Sequence, residues 1–143
     1  LSRTWLGSAR LTGADLRSAD LGGAWMTATD LTGAVLGAAT LAGTSMTRTC
    51  MREADLTGAF AGGVDLRSAV LNGATIRAAN LSGAILRGAS LIGTDLSLSD
   101  LVGADLSEAQ LDQVVLDGIR HDETTRWPDD FSPPSSGGLD DHD

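Results

Sequence analysis

The sequence predicts an all-β solenoid, in which one short structural unit is repeated and stacked along an axis. Three observations lead to this prediction. A large apolar residue returns at every fifth position from Leu1 to Leu116, and nineteen of these 24 positions are Leu. A small residue lies two positions before each of them, and fifteen of the 23 small positions from Thr4 to Val114 are Ala. Glycine recurs every ten residues, two positions after the apolar residue, at positions 13, 23, 33, 43, 63, 73, 83, 93 and 103.

A period of five excludes the regular elements of most folds. The apolar stripe of a helix repeats every 3.6 residues and that of a half-buried strand every two. Glycine in a constant phase indicates a corner with positive φ, which glycine enters without a steric penalty. A chain with such frequent corners folds back on itself, and its coils stack about 4.8 Å apart through strand-like hydrogen bonds. The Leu and the small residue before it are therefore expected to point inward.

The units "LTGADL" and "GADLRSADLGGA" resemble the pentapeptide repeat family, whose motif is small, Asp or Asn, Leu or Phe, polar, Gly. The resemblance covers residues 1–118. It implies a right-handed quadrilateral β-helix with four units per coil and a square cross-section. Residues 1–118 would then form about six coils and a rod roughly 28 Å long.

The C-terminal part departs from the repeat. The stretch "RHDETTRWPDDFSPP" contains proline and charge and breaks the period. We predict a β-helix over 1–118, a short irregular capping segment over 119–134 and a disordered tail over 135–143. Because the end of a solenoid must be covered, Trp127 and Phe131 are expected to cap the last Leu layer.

Composition narrows the classes of function. The 143 residues carry a formal net charge of −9, which argues against direct binding of nucleic acid. Cys50 is the one cysteine, and both histidines lie in the tail. No spacing typical of a nucleophile, an acid–base pair, a phosphate loop or a metal site occurs. We therefore expect no catalytic residue, no metal and no cofactor.

Two groups of outward residues are candidates for binding. Trp5 and Trp25 are 20 residues apart and predict a stacked, exposed aromatic patch for a partner, or for residues that precede Leu1. Arg67 and Arg87 would stack in the same way and could hold a carboxylate or phosphate. Alternatively, Asp65 and Asp105 neutralise them as surface ion pairs. The candidate binding residues are Trp5, Trp25, Arg48, Asp65, Arg67 and Arg87.

The repeat is least regular between Arg48 and Gly63. Ala61 stands where a large core residue is expected, and Glu53 stands where Gly is expected. We expect Phe60 or Val64 to fill the thin layer at Ala61, although a local irregularity is also compatible with a functional site.

These features favour a non-enzymatic scaffold or protein-interaction module of bacterial type, with an unidentified protein partner. One alternative is a DNA mimic that protects DNA gyrase or topoisomerase from inhibitors, the best-known role of the family. A 28 Å mimic would need roughly 16 negative charges, whereas twelve carboxylates and eight arginines leave residues 1–118 at −4. A second alternative is a biosynthetic enzyme that uses an exposed aromatic and acidic face.

The chain begins at Leu1, already inside the repeat, so we expect it to be a fragment. A cytoplasmic location is expected for this part, and a membrane tether through a preceding segment stays open. The oligomeric state does not follow from the sequence.

Overall fold

The computed structural model describes residues 1–135, and the chain there follows a path of single β-bridges separated by two-residue turns. All the bridges are parallel, and those from Trp5 to Arg120 join residues 20 apart. The bridges form four ladders, which begin at Trp5, Arg10, Asp15 and Asp20. The predicted repeat solenoid is thereby confirmed, with one ladder on each of four sides.

Hydrogen bonds within and between coils satisfy the backbone of each unit. The N–H of Leu31 donates to the carbonyl of Cys50 in the next coil at 2.7 Å, and the N–H of Asp30 donates to Ala9 in the previous coil at 2.9 Å. Inside the unit, the N–H of Ala34 closes the turn on the carbonyl of Leu31 at 2.9 Å. Each coil is consequently bonded to both of its neighbours.

The core is a stack of the predicted apolar residues, and the predicted inward pair is confirmed. From the second coil onward the Leu, Met and Ile side chains at the fifth positions and the Ala residues two positions before them are buried. In the first coil Leu6, Leu11 and Leu16 are only partly buried. Each buried Leu stabilises the fold by about 1.5–3 kcal/mol, so a chain with 3% aromatic residues still has a sufficient core.

Threonine can replace Ala in the small position because its hydroxyl has a fixed acceptor. Thr29 and Thr44 are fully buried, and each hydroxyl donates at 2.8 Å to the carbonyl of a core Leu in the previous coil. The described residues contain no buried side-chain nitrogen or oxygen atom without a partner. The polar substitutions therefore do not leave unsatisfied groups in the core.

The corners are more frequent than the glycines predicted. Every fifth residue from Arg3 to Gly118 has a φ between 53° and 72°, and twelve of these residues are not Gly. Glu53, for example, has a φ of 57°. The prediction of one such corner in ten residues was wrong, because the fold holds Ser, Ala, Arg and even Leu98 in the left-handed region.

The thin layer at Ala61 is filled from inside. Val64 is completely buried, whereas the side chain of Phe60 is 56% exposed and points outward. Of the two residues expected to compensate, Val64 lies in the core and Phe60 does not.

The ladders continue past the predicted boundary at residue 118. Arg120 bridges to Asp100, and Arg126 bridges to Asp105 across 21 residues, so this last step contains one extra residue. Trp127 and Phe131 then pack against the core with their rings stacked at 5.3 Å. The predicted disordered tail lies outside the described residues from position 136 onward.

Candidate functional site

The two exposed tryptophans form a stacked pair on one ladder. Trp5 bridges to Trp25, and their ring centroids lie 5.2 Å apart with 30° between the planes. The side chains are 76% and 47% exposed. The bridge holds both rings outward on the same side, so the predicted aromatic patch exists and remains accessible in the described chain.

Two coils further along the same ladder, Asp65 holds Arg67 in a two-pronged ion pair. Nε of Arg67 donates to Oδ1 of Asp65 at 2.9 Å, and Nη2 donates to Oδ2 at 2.7 Å. These hydrogen bonds lower the pKa of the Asp65 carboxyl below its usual range. The guanidinium group is thus oriented along the surface before any partner binds.

Arg87 does not complete an anion site with Arg67. Its Nη2 donates to Glu108 in the next coil at 2.8 Å. The predicted partner, Asp105, instead accepts the backbone N–H of Ser107 at 2.9 Å. The expectation that Asp105 pairs with Arg87 was wrong, because the carboxylate of Asp105 is held in its own turn. Both guanidinium groups are engaged by carboxylates, which leaves neither of them unpaired for an anion.

Arg48 lies next to this pair. Its backbone N–H donates to the carbonyl of Arg67 at 3.0 Å, and its side chain is exposed. No ion pair involves Arg48 within residues 1–135. The structure therefore places all the candidate residues along one side of the solenoid and the corner that adjoins it. We call this surface the Trp–Arg face, consisting of Trp5, Trp25, Arg48, Asp65, Arg67 and Arg87.

The recurrent Asp residues have a structural role that the sequence reading missed. Each one caps the turn that follows it, since its Oδ1 accepts the N–H two residues later, as Asp30 does from Thr32 at 3.0 Å. Such bonds stabilise the ionised form, and for Asp15 a further bond from Arg17 lowers the pKa to about 2. The signal that could have found this role is the constant spacing of Asp before a turn. The same bond is made by Asp15, Asp20, Asp30, Asp55, Asp65, Asn80, Asp95, Asp100, Asp105 and Asp122.

Other kinds of site are not apparent in the described part of the chain. Within residues 1–135 no group of three or more His, Cys, Asp or Glu side chains is arranged to hold a metal ion. Nor does that part of the chain contain a helix with the length and apolarity to cross a membrane.

Solved structures with the same architecture include two that are 32% identical to this chain. A pentapeptide repeat protein from the thylakoid lumen of Arabidopsis thaliana aligns over 69% of each chain with a TM-score of 0.68. One from Nostoc aligns over 72% of this chain and 77% of its own, with a TM-score of 0.56. The fluoroquinolone resistance protein QnrB1 is 18% identical over 86% and 88% of the two chains, with a TM-score of 0.49, and carries no argument about function. No match is found among the curated proteins.

The family model of pentapeptide repeats matches the chain in eight copies. The matches span residues 1–33, 26–58, 49–88 and 79–118 and thus cover the solenoid almost without a gap. With the four bridge ladders and the buried Leu stack, this match shows that the chain belongs to the pentapeptide repeat family.

Proposed function

We propose that the protein is a non-enzymatic scaffold that binds a protein partner through the Trp–Arg face. The observation that carries this proposal is the stacked pair of Trp5 and Trp25, which leaves a large aromatic surface in water. Tryptophan and arginine are the residues most enriched at energetically important positions of protein interfaces. An exposed aromatic pair beside oriented arginines fits that chemistry better than it fits catalysis.

The shape of the solenoid supports the same proposal. We take the rod to consist of about six right-handed coils, so that the Trp–Arg face is flat and extends over most of its length. Because the bridges hold the backbone and the ion pair with Asp65 holds Arg67, little conformational entropy is lost when a partner binds. The partner itself is defined only by this chemistry, as a protein surface with apolar and acidic groups.

Binding can be tested by capture from cell extract with immobilised protein. We expect Trp25→Ala and Arg67→Glu to reduce recovery of a specific partner at least tenfold, since interface hot spots contribute about 2 kcal/mol or more. Phe60→Ala and Arg17→Glu are matched controls, because they remove an exposed ring and an Asp-paired arginine on other sides. Equal recovery by all four variants would contradict the proposal.

Protection of DNA gyrase is less well supported as a function of this chain. Residues 1–100 contain eight arginines and eight carboxylates, so most of the rod has no net charge. Arg17, Arg67 and Arg77 are also paired with carboxylates along it. A supercoiling assay with gyrase and a quinolone would decide, and rescue of supercoiling by the added protein would favour the DNA-mimic alternative over the scaffold.

A further inference from the structure

Half of the C-terminal end of the solenoid lacks the coil that would cover it. Residues 120–126 cover the two sides that contain Leu101 and Leu106, whose N–H groups donate to carbonyls of that segment, both at 2.7 Å. The chain leaves the ladders after that. Within the described chain, no residue bridges to Gln110 or Val115 from the C-terminal side. Two of the four sides therefore end in an open strand edge.

Comparison with the preceding coil identifies the unpaired groups on this edge. In that coil the N–H groups of Leu91, Gly93 and Leu96 donate to carbonyls of the next coil at 2.8 to 2.9 Å. An open edge of this kind can pair with an extended segment, which continues the hydrogen-bond pattern. The equivalent groups that find no backbone partner within residues 1–135 are the N–H groups of Leu111, Gln113 and Leu116 and the carbonyl groups of Ala109 and Val114.

An apolar cleft lies beside the open edge, under the loop 128–131. Its volume is about 360 Å³, enough for one large side chain. Ala109, Leu111, Pro128 and Phe131 supply its apolar lining. Phe131 is held in place by its stacking on a neighbouring ring. The cleft can thus accept an apolar side chain from a segment that pairs with the edge.

The charge around the cleft selects the occupant. The first 100 residues are balanced, whereas residues 101–135 carry eight carboxylates and two arginines, a net charge of −6. Asp112 and Asp130 line the cleft. A second cleft beside it is lined by Glu108 and Asp129. This field attracts basic groups and disfavours an acidic segment, including residues 136–143 with their three Asp residues and the same end of a second copy.

We propose that the open edge at residues 108–118 binds an extended, basic peptide segment of a partner protein by strand addition. The peptide backbone pairs with the free N–H and carbonyl groups of the edge. One apolar side chain of the peptide enters the cleft beside Leu111 and Phe131. Its Lys or Arg side chains meet the surrounding carboxylates. This site is separate from the Trp–Arg face and adds a second point of attachment to the scaffold.

A suitable probe is a synthetic peptide of two units, Ala-Lys-Leu-Arg-Gly, which has the phase of the missing coil with basic outward residues. Amide hydrogen exchange of the full chain, followed by NMR, reports on strand addition directly. We expect exchange to slow at least tenfold at Leu111, Gln113 and Leu116 when the peptide is added. The exchange of the already bonded amides in the middle coils should not change.

Two further peptides separate backbone pairing from charge. The same peptide with N-methyl groups on alternate amides keeps its charge but loses the donors, and we expect it to bind at least tenfold more weakly. A peptide with Glu in place of Lys and Arg keeps the donors, and we expect no measurable binding. Equal affinity for the N-methylated peptide would overturn strand addition, and binding of the acidic peptide would overturn the selection by charge.

Protein variants test the location of the site. Asp112→Asn together with Asp130→Asn should weaken binding of the basic peptide about tenfold at low salt, because rim charges act on association. Glu53→Gln, which neutralises an exposed carboxylate three coils away, is the matched control and should bind normally. Trp25→Ala should also bind normally, so failure here and failure of the Trp–Arg face are distinguishable. Unchanged affinity in the double variant would overturn the site.

Other occupants of the edge have their own signatures. Slow exchange at Leu116 in the peptide-free protein, lost on deletion of residues 136–143, would assign the edge to the chain's own end. A molecular mass that doubles with concentration, together with the same slow exchange, would assign it to a second copy. Either result would overturn the proposal.

Discussion

A carboxylate in front of each turn links the local chemistry of single residues to the fold. In the unit that begins with Asp30, the side chain accepts both the backbone N–H and the hydroxyl of Thr32, at 3.0 and 2.7 Å. Asn80 makes the same two bonds with Ser82 and carries no charge. The turn therefore requires an acceptor oxygen, and a negative charge is not essential to it.

These turns predict how stability depends on pH. The pKa values of Asp30, Asp95 and Asp122 are lowered, first by the side-chain hydrogen bond from the Thr or Ser two residues later, and that of Asp15 falls to about 2. Because the folded pKa lies below the unfolded value near 3.8, the stabilisation is complete above that value. It is lost as the pH falls through the folded pKa values. We expect the thermal midpoint from circular dichroism to drop between pH 4 and pH 2.

The matched variant is Asp30→Asn, which keeps the acceptor and removes one titrating group. It should melt like the parent protein at pH 7 and lose less of its midpoint at pH 2. Asp30→Ala, which removes the acceptor, should instead melt lower at both pH values. A parent midpoint that is the same at pH 5 and pH 2 would show that the turns do not need the ionised form.

At the scale of the repeat unit, the periodicity predicted which side chains are buried but not how the surface pairs are made. Leu21 and Ala24 are inward because only those phases can be hidden by a chain with a corner in each unit. The choice of Glu108 as the partner of Arg87 depends on Asp105 being engaged by its own turn, which no spacing reveals. The corners at non-Gly residues were missed for a related reason, since the strain there is offset by packing elsewhere.

Compensation inside one unit can be tested with Ala61 and Val64. Ala61→Leu adds volume to a layer that Val64 already fills, so we expect a loss of about 1–3 kcal/mol in the free energy of unfolding. Val64→Ala alone should also destabilise, by about 1–3 kcal/mol, through the space that it leaves. The double variant should recover most of both losses, and urea unfolding of the four proteins measures this coupling. Strictly additive losses would show that the two side chains do not share the layer.

For the molecule as a whole, stability is close to a sum of contacts between neighbouring coils. Trp127 and Phe131 cover part of the last layer, where Leu111 and Leu116 are near the end of the stack. The sequence predicted a cap of these two rings. It could not predict that the ladders run on to Arg126, because one extra residue conceals the register.

Removal of the cap should therefore have a local effect. We expect Trp127→Ala to cost roughly 2 kcal/mol, since a half-buried ring is exposed on both faces. Hydrogen exchange should accelerate most in residues 101–120 and least in residues 41–60. Phe60→Ala, which removes an exposed ring far from either end, should leave both segments unchanged. Uniform acceleration along the chain would mean that the solenoid opens as one cooperative body.

The step of 20 residues between bridged positions has a consequence for how such a chain can change in length. Losing or gaining one five-residue unit keeps every Leu indoors but rotates all later surfaces by a quarter of the circumference. If one unit were excised between Trp25 and Asp65, the aromatic pair and the Asp65–Arg67 pair would look out in perpendicular directions from an intact core. Evolution of this architecture can accordingly re-aim half a surface with a single excision, and only a whole circuit added or removed preserves the original alignment.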